Sequence, residues 1–321
     1  MQILPLTIII PAHNAAKTIV RTLDSLAAQT AAEFEVICLD DASSDETPAV
    51  IADYLAHHGN ANWHLLRQEE NCGVSATRNR GIEEAHGEFI MFLDADDCLT
   101  ADCCEHLLRL QATSQADLIL ANAWRQDTSG ARRLHFPALG ETAIPWTLGR
   151  DMDADLAFQP FLDTCWAKLF RRSLLQDKHL RFSADLSFGE DTFFTLKAAL
   201  AAQSCVLDSG HPVYVYAENP QSCVHTIDAA RRLGDLRRLL LSLAAATGPE
   251  RSYFLLRKSK EYLWTIKRFG GTDRAQLLEK LAQDVELRRL LTSVISQYGK
   301  WKHRWLLPRL LGGHAWLLRF W

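Results

Sequence analysis

No two of the eight cysteines stand in a Cys-x-x-Cys pair, which removes the usual sequence basis for a zinc ribbon or a dithiol redox centre. Cys38 lies inside an apolar run, Cys103 and Cys104 are adjacent, and the others are scattered, so reduced, mostly packed thiols are expected. The chain opens without a basic-then-apolar leader, and its first apolar run, Leu6–Ile10, is too short for a signal peptide's core. No uninterrupted apolar stretch is long enough to span a bilayer. These absences point to the cytoplasm. A glycine-rich phosphate loop is missing as well. The segment after the first strand candidate reads Pro11-Ala12-His13-Asn14-Ala15-Ala16-Lys17, which weighs against a nucleotidyltransferase built on a similar sheet. There is no internal repeat or low-complexity tract.

What is present begins with an uneven charge. The 321 residues carry a net charge of −4, but residues 1–225 hold 16 Lys/Arg against 31 Asp/Glu and residues 226–321 hold 19 against 8. The length suits one large domain or two smaller ones. An acidic first part suits cation binding, and a basic second part suits an anionic surface or acceptor.

Strand candidates are Leu6–Ile10, Glu35–Leu39, Trp63–Arg67, Phe89–Leu93 and Leu118–Ala121. Helical patterns fall between them near Ala16–Ala28, Thr47–His58, Ser75–Ala85 and Ala101–Gln115. Apolar strands alternating with helices predict an α/β, doubly wound, mostly parallel sheet covered on both faces. Its ligands belong beyond the carboxyl ends of the strands. Residues 125–187 are punctuated by glycine and proline, with a helix expected near Ser173. A helix then follows at Asp191–Ala201, and two short strands at Cys205–Leu207 and Val213–Tyr216. From about Asp228 the pattern is helical as far as Gly312-Gly313.

Three polar clusters come directly after strand candidates: Pro11-Ala12-His13-Asn14, Asp40-Asp41-Ala42-Ser43-Ser44-Asp45 and Asp94-Ala95-Asp96-Asp97. One such cluster reads equally well as a turn or a helix cap; three at one sheet edge do not. In an extended segment Asp94 and Asp96 would project to the same side. Carboxylates that close repel and stay ionised together beside a cation. Hard oxygen donors favour Mg²⁺ or Mn²⁺.

The runs Ile8-Ile9-Ile10-Pro11-Ala12-His13-Asn14, Phe34-Glu35-Val36-Ile37-Cys38-Leu39-Asp40-Asp41-Ala42-Ser43-Ser44-Asp45, Asn71-Cys72-Gly73-Val74-Ser75-Ala76-Thr77-Arg78-Asn79-Arg80-Gly81 and Gly87-Glu88-Phe89-Ile90-Met91-Phe92-Leu93-Asp94-Ala95-Asp96-Asp97 occur in that order. With them, the first 225 residues resemble inverting family-2 glycosyltransferases of the GT-A fold. The resemblance implies a GT-A catalytic domain at 1–225, with a nucleotide-binding half to about 122 and an acceptor-side half at 123–225. A helical, basic region at 226–321 would follow. It implies a UDP-sugar site lined by Pro11, His13, Asn14, Asp41, Arg78, Asn79, Asp94, Ala95 and Asp96. Asp41 would accept from the uracil ring, and Mn²⁺ or Mg²⁺ would be held by Asp96 and Asp97 with His225 as a further ligand. His13 stands where the pattern usually has Tyr, and Ala42 where it usually has Gly. The match continues through Trp166-Ala167-Lys168-Leu169-Phe170-Arg171-Arg172 to Gly189-Glu190-Asp191. There the resemblance makes Asp191 the catalytic base, with Glu190 orienting it. Asp191 also reads as the N-cap of a helix at Thr192–Ala201. Lys168 and Arg171 either contact diphosphate or acceptor, or lie on a solvated face.

The implied reaction moves a hexose or N-acetylhexosamine from the UDP-sugar to a glycan or lipid-linked hydroxyl. The rival readings are a nucleotidyltransferase of similar fold and a non-catalytic nucleotide-sugar binder. Residues 298–321 carry five Lys/Arg, no acid and four of the nine tryptophans, a composition suited to peripheral contact with the inner face of a membrane. The same Trp/Leu face could instead pack on the protein or on a homodimer partner. The acidic remainder makes nucleic acid a poor partner.

Overall fold

The computed structural model describes residues 4–31, 33–58, 60–140, 143–146, 158–186, 188–218, 229–245, 251–268 and 271–298. The chain divides into two compact units, one of residues 1–185 and 190–220, the other of 186–189 and 221–321.

In the first unit, β1 (Leu6–Ala12) lies between β2 (Glu35–Asp40) and β4 (Phe89–Phe92), parallel to both, and β3 (Trp63–Arg67) extends the sheet beyond β2. β2 and β4 are buried at every position, and β1 at every position but Pro11, so these apolar strands form the core. The helices α1 (Ile19–Ala27), α2 (Thr47–His58), α3 (Val74–Glu84) and α4 (Cys103–Ser114) alternate with them. Helix α3 packs unusually close on β1. A Cβ built on Gly81 would meet Ile9 Cγ2 at 2.4 Å, so only hydrogen fits there.

Beyond β4 the order continues β9–β6–β10–β5. Here β9 (Lys168–Arg171) runs antiparallel between β4 and β6 (Leu118–Gln126), and β10 (Cys205–Ala217) runs parallel to β6. The short β5 (Cys98–Leu99) pairs with β10, as does β8 (Ile144–Trp146), and β7 (Arg132–Leu134) makes a hairpin with β6. The sheet is thus mostly parallel with antiparallel insertions. The two strands expected at 205–216 are one. A break in register between Asp208 and Pro212 interrupts the apolar pattern without ending the pairing. The described residues of this unit also form a short 3-10 helix at Gln159–Asp163 and the helices α5 (Arg172–Asp177) and α6 (Glu190–Ala201).

The described residues of the second unit from 229 onward form four helices: α7 (Ala229–Ala245), α8 (Arg251–Arg268), α9 (Gly271–Gln283) and α10 (Val285–Tyr298). Leu236, Leu239, Leu240, Leu263, Ile266, Leu287 and Leu291 are buried within it. Asp284 joins Arg237 of α7 to the start of α10 by accepting from Arg237 and from Leu287 N. Among the described residues no helix is long and apolar enough to cross a membrane. His225 and the Trp/Lys-rich residues 299–321 lie outside the described residues.

Candidate active site

The three polar clusters meet where β1, β2 and β4 end, the edge at which an open parallel sheet binds ligands. Asp41 follows β2 and is buried. Its Oδ1 accepts from Gln68 Nε2 at 2.6 Å and from Cys72 N at 2.8 Å, and its Oδ2 accepts from Gly73 N at 2.9 Å. Gly73, at φ +82°, is the N-cap of α3, so this carboxylate organises the N-terminal end of that helix. Oδ1 has both acceptor positions filled; Oδ2 keeps one.

His13 is exposed, yet its ring is tightly directed. Nδ1 donates to the Asp41 carbonyl at 2.8 Å, and Nε2 lies 3.1 Å from the Asn14 amide and 3.2 Å from the Asn71 amide. With both nitrogens engaged, the ring offers its faces. Asn14, at φ +52°, receives Ser44 N on Oδ1 at 2.9 Å and gives its own N–H to Ser43 Oγ at 2.9 Å. It therefore tethers the two loops to each other. Asp45 serves as a cap, with Oδ1 accepting from Thr47 N at the start of α2. Ala42 has φ +50°, a left-handed backbone that glycine takes at less cost than alanine.

The Asp94–Asp97 segment is not extended. Asp97 N donates to Asp94 O at 3.1 Å, closing a turn, and α1 holds that turn through Arg21 to the Asp96 carbonyl and Thr22 Oγ1 to the Ala95 carbonyl. Asp94 and Asp96 are still the half-buried pair while Ala95 and Asp97 are buried. The turn, rather than an extended run, is what leaves Asp94 and Asp96 half-exposed. Asp97 faces inward, accepting from Tyr214 Oη at 2.7 Å and from Ala217 N at 2.8 Å. Tyr214 Oη in turn receives Asp94 N at 3.2 Å. Burial, together with Asp94 and Asp96 nearby, holds the Asp97 carboxyl well above the usual carboxylate range. Burial and the neighbouring Asp191 and Asp96 also raise Asp94, against the opposing pull of Arg78.

Arg78 is the hub. Projecting from α3, it is only 5% exposed, and its guanidinium contacts Asp191 Oδ1 at 2.6 Å, Asp94 Oδ1 at 2.9 Å and Glu190 Oε1 at 3.6 Å. Burial disfavours its charge, but Asp191, Asp94 and Glu190 outweigh this and raise its pKa. α6 begins at Glu190, so Asp191 sits inside the first turn. Its carboxylate goes to Arg78 and, through Oδ2, to Cys165 N at 3.3 Å. The expected capping role for Asp191 is therefore not taken up. Burial and the adjacent Asp191 push Glu190 up to about 7, against Arg78.

Other expected residues have structural duties. The Asn79 amide is occupied by the Phe182 backbone, donating to its carbonyl at 2.9 Å and accepting its N–H at 2.8 Å. It positions the 180–182 segment rather than facing a ligand. Arg171 lies at the opposite end of β4 from Asp94, paired with Asp117 and Glu88 at 2.9 Å each. Lys168 is fully buried, so it neither meets solvent nor reaches outward. Pro11, the penultimate residue of β1, is half-buried. Three participants carried no sequence signal: Tyr214, Gln68 and the Cys165 N–H. Each acts from far along the chain or through its backbone.

Among the described residues no three His, Cys, Asp or Glu side chains are arranged as a metal-ligand set. The chemistry nonetheless fits a cation. Arg78 is the guanidinium facing Asp94, Asp191 and Glu190, and burial first, then neighbouring carboxylates, raises Asp94 and Asp97, the condition a divalent ion relieves.

The chain is similar to known proteins in sequence and in fold. It is 32% identical over 220 residues to the uncharacterized glycosyltransferase EpsJ of Bacillus subtilis (strain 168), a match covering 67% of this chain and 62% of EpsJ. The alignment thus spans less than two thirds of that relative's length. In fold it resembles S. aureus TarS 1-349, solved in complex with UDP-GlcNAc, at a TM-score of 0.72 and 22% identity over 98% of this chain and 89% of that one. It also resembles the mannosyltransferase PcManGT from Pyrobaculum calidifontis, solved with GDP-Man and Mn²⁺, at 0.57 and 18% over 100% and 88%. Both likenesses bear out the GT-A α/β architecture. The family model "Glycosyl transferase family 2" matches residues 7–177, which include Asp41, Arg78 and the Asp94–Asp97 turn, and the chain therefore belongs to glycosyl transferase family 2.

Proposed function

We propose that this chain is a metal-dependent inverting glycosyltransferase that moves a hexose or N-acetylhexosamine from a UDP-sugar to a hydroxyl of a glycan or lipid-linked acceptor. The observation that carries this reading is the Arg78 bridge, which holds Asp94 and Asp191 on one guanidinium. A donor-side carboxylate and a base candidate thereby flank a single space. The free acceptor position on Asp41 Oδ2 suits the N3–H of uracil, and the directed face of His13 suits stacking on the base. Asp96, with Asp94 beside it and Asp97 bracing the turn, would hold Mn²⁺ or Mg²⁺, and His225 is a further candidate ligand. When bound, the ion stabilises negative charge on the departing diphosphate.

Asp191 would take the proton of the acceptor hydroxyl through a remaining lone pair. As the acceptor oxygen bonds to the anomeric carbon, the bond from that carbon to the diphosphate breaks, and its electron pair leaves with UDP. A single displacement inverts the centre. Glu190, poised near neutrality, orients and tunes Asp191. Arg78 fixes both carboxylates, which supplies alignment before the reaction begins.

The test is UDP release from a panel of nucleotide sugars with Mn²⁺ and candidate glycan acceptors. Asp96→Ala should abolish the metal-dependent part of donor binding. Asp191→Asn should keep donor binding within about twofold and lower transfer by roughly 10²–10⁴-fold, the usual worth of a positioned base. Full transfer by Asp191→Asn would remove the base assignment. Donor binding without turnover across the panel would make the chain a binder. The Trp/Lys-rich end is proposed to dock on anionic lipid; equal vesicle binding by a chain ending at Tyr298 would refute that.

A further inference from the structure

Lys168 is fully buried at the start of β9, and among the described residues no carboxylate forms an ion pair with it. Its Nζ donates to Thr164 Oγ1 at 2.8 Å and to the Trp166 carbonyl at 2.9 Å. The residues it grips flank Cys165, whose N–H reaches Asp191 Oδ2 at 3.3 Å. On the far side, the Trp166 ring stacks on Tyr214 at 4.7 Å and 13°, and Tyr214 Oη holds both Asp97 Oδ2 and Asp94 N. Thr195 of α6 ties in from the same helix as Asp191, giving its hydroxyl to the Thr164 carbonyl at 3.0 Å. Ala167, between the gripped Trp166 and Lys168 itself, takes φ +55°, a conformation that alanine holds only when its surroundings impose it.

We propose that Lys168 is a positioning residue for the transfer step, clamping Thr164–Trp166 so that the Cys165 N–H is presented to Asp191. This rests on the reading of Asp191 as the base. A merely structural lysine would be replaced by a long apolar side chain at little cost, since burying an unpaired ammonium is itself unfavourable. Burial lowers Lys168 to about 7, against the pull of Cys165, Asp191 and Asp163. That a site this unfavourable to charge keeps a lysine accords with a function in the hydrogen bonds it makes.

The test uses the full chain and Lys168→Met, with Thr164→Val as a second variant that removes one half of the clamp without touching the lysine. UDP with Mn²⁺ is the binding probe, and turnover uses the nucleotide sugar that the wild-type chain accepts best. Lys168→Met should bind UDP within about twofold of wild type and lose at least tenfold in kcat. Thr164→Val should lose severalfold in kcat, with KM for the donor unchanged. In an Asp191→Asn background, Lys168→Met should add less than about twofold, because residues acting through one group are non-additive. Unchanged kcat in both variants, UDP binding lost in step with turnover, or full additivity with Asp191→Asn would each overturn the proposal. If Lys168→Met fails to fold, Thr164→Val decides alone. A wild-type chain that turns over no nucleotide sugar sinks the transferase reading itself. Active wild type beside equally active variants sinks only this inference.

Discussion

Glu190→Gln isolates the electrostatics of the carboxylate cluster. Glu190 is 15% exposed and is raised from 4.5 to about 7 by burial and Asp191. A carboxyl whose folded value is raised stabilises the fold below its unfolded value, and that contribution is lost as pH climbs through the folded value. Here the window runs from about 4.5 to about 7, the two values just given. About 2.5 units at 1.36 kcal/mol each is roughly 3 kcal/mol. Glutamine has the shape of the neutral acid and no charge to bury. Wild type and Glu190→Gln should therefore be about equally stable near pH 4. The variant should gain steadily to about 3 kcal/mol by pH 8 and stay level above that. Urea unfolding of both proteins at half-unit pH intervals reads the difference directly, because carboxylates not coupled to Glu190 cancel. The midpoint of the difference curve belongs to the Glu190–Asp191–Asp94 cluster rather than to one side chain. A difference flat from pH 4 to 8, or one of opposite sign, would refute the assignment of Glu190 as the strained member.

Tyr214→Phe removes the hydroxyl shared by Asp97 and Asp94 N. It should cost about 1–3 kcal/mol in urea unfolding, the usual penalty for stranding a buried acceptor, and weaken Mn²⁺-dependent UDP binding; a neutral effect on both would show that the turn stands without it. Ala42→Gly relieves the left-handed backbone at φ +50° and should raise stability by up to about 1 kcal/mol. A fall in thermal midpoint would mean that the loop depends on the alanine methyl.

The parallel half of the fold was legible in the sequence because its strands are short runs buried on both faces. Trp63–Arg67 and Thr47–His58 match the structure at both ends, and the other early strands and helices match within a few residues. The places of Asp41 and Asp94–Asp97 directly after strands, and of Arg78 within a contiguous motif, were legible too, but the turn at 94–97, expected as an extended segment, was not. The antiparallel insertion was not. β9 has four residues and β5 has two, too few to show a period, and both depend on distant partners.

Local order along the chain therefore determined which residues gather at the sheet edge and in what succession. Only tertiary structure decided what each one does there. Asp191 lies 113 residues from Arg78, and Tyr214 lies 117 from Asp97, so no local pattern encodes either contact. Burial, a property of the folded whole, turned Lys168 from a candidate surface ligand into an internal clamp. The reason is physical. Side-chain periodicity is written in the nearest neighbours, whereas charge, hydrogen-bond partner and proton affinity are set by whatever the fold brings alongside.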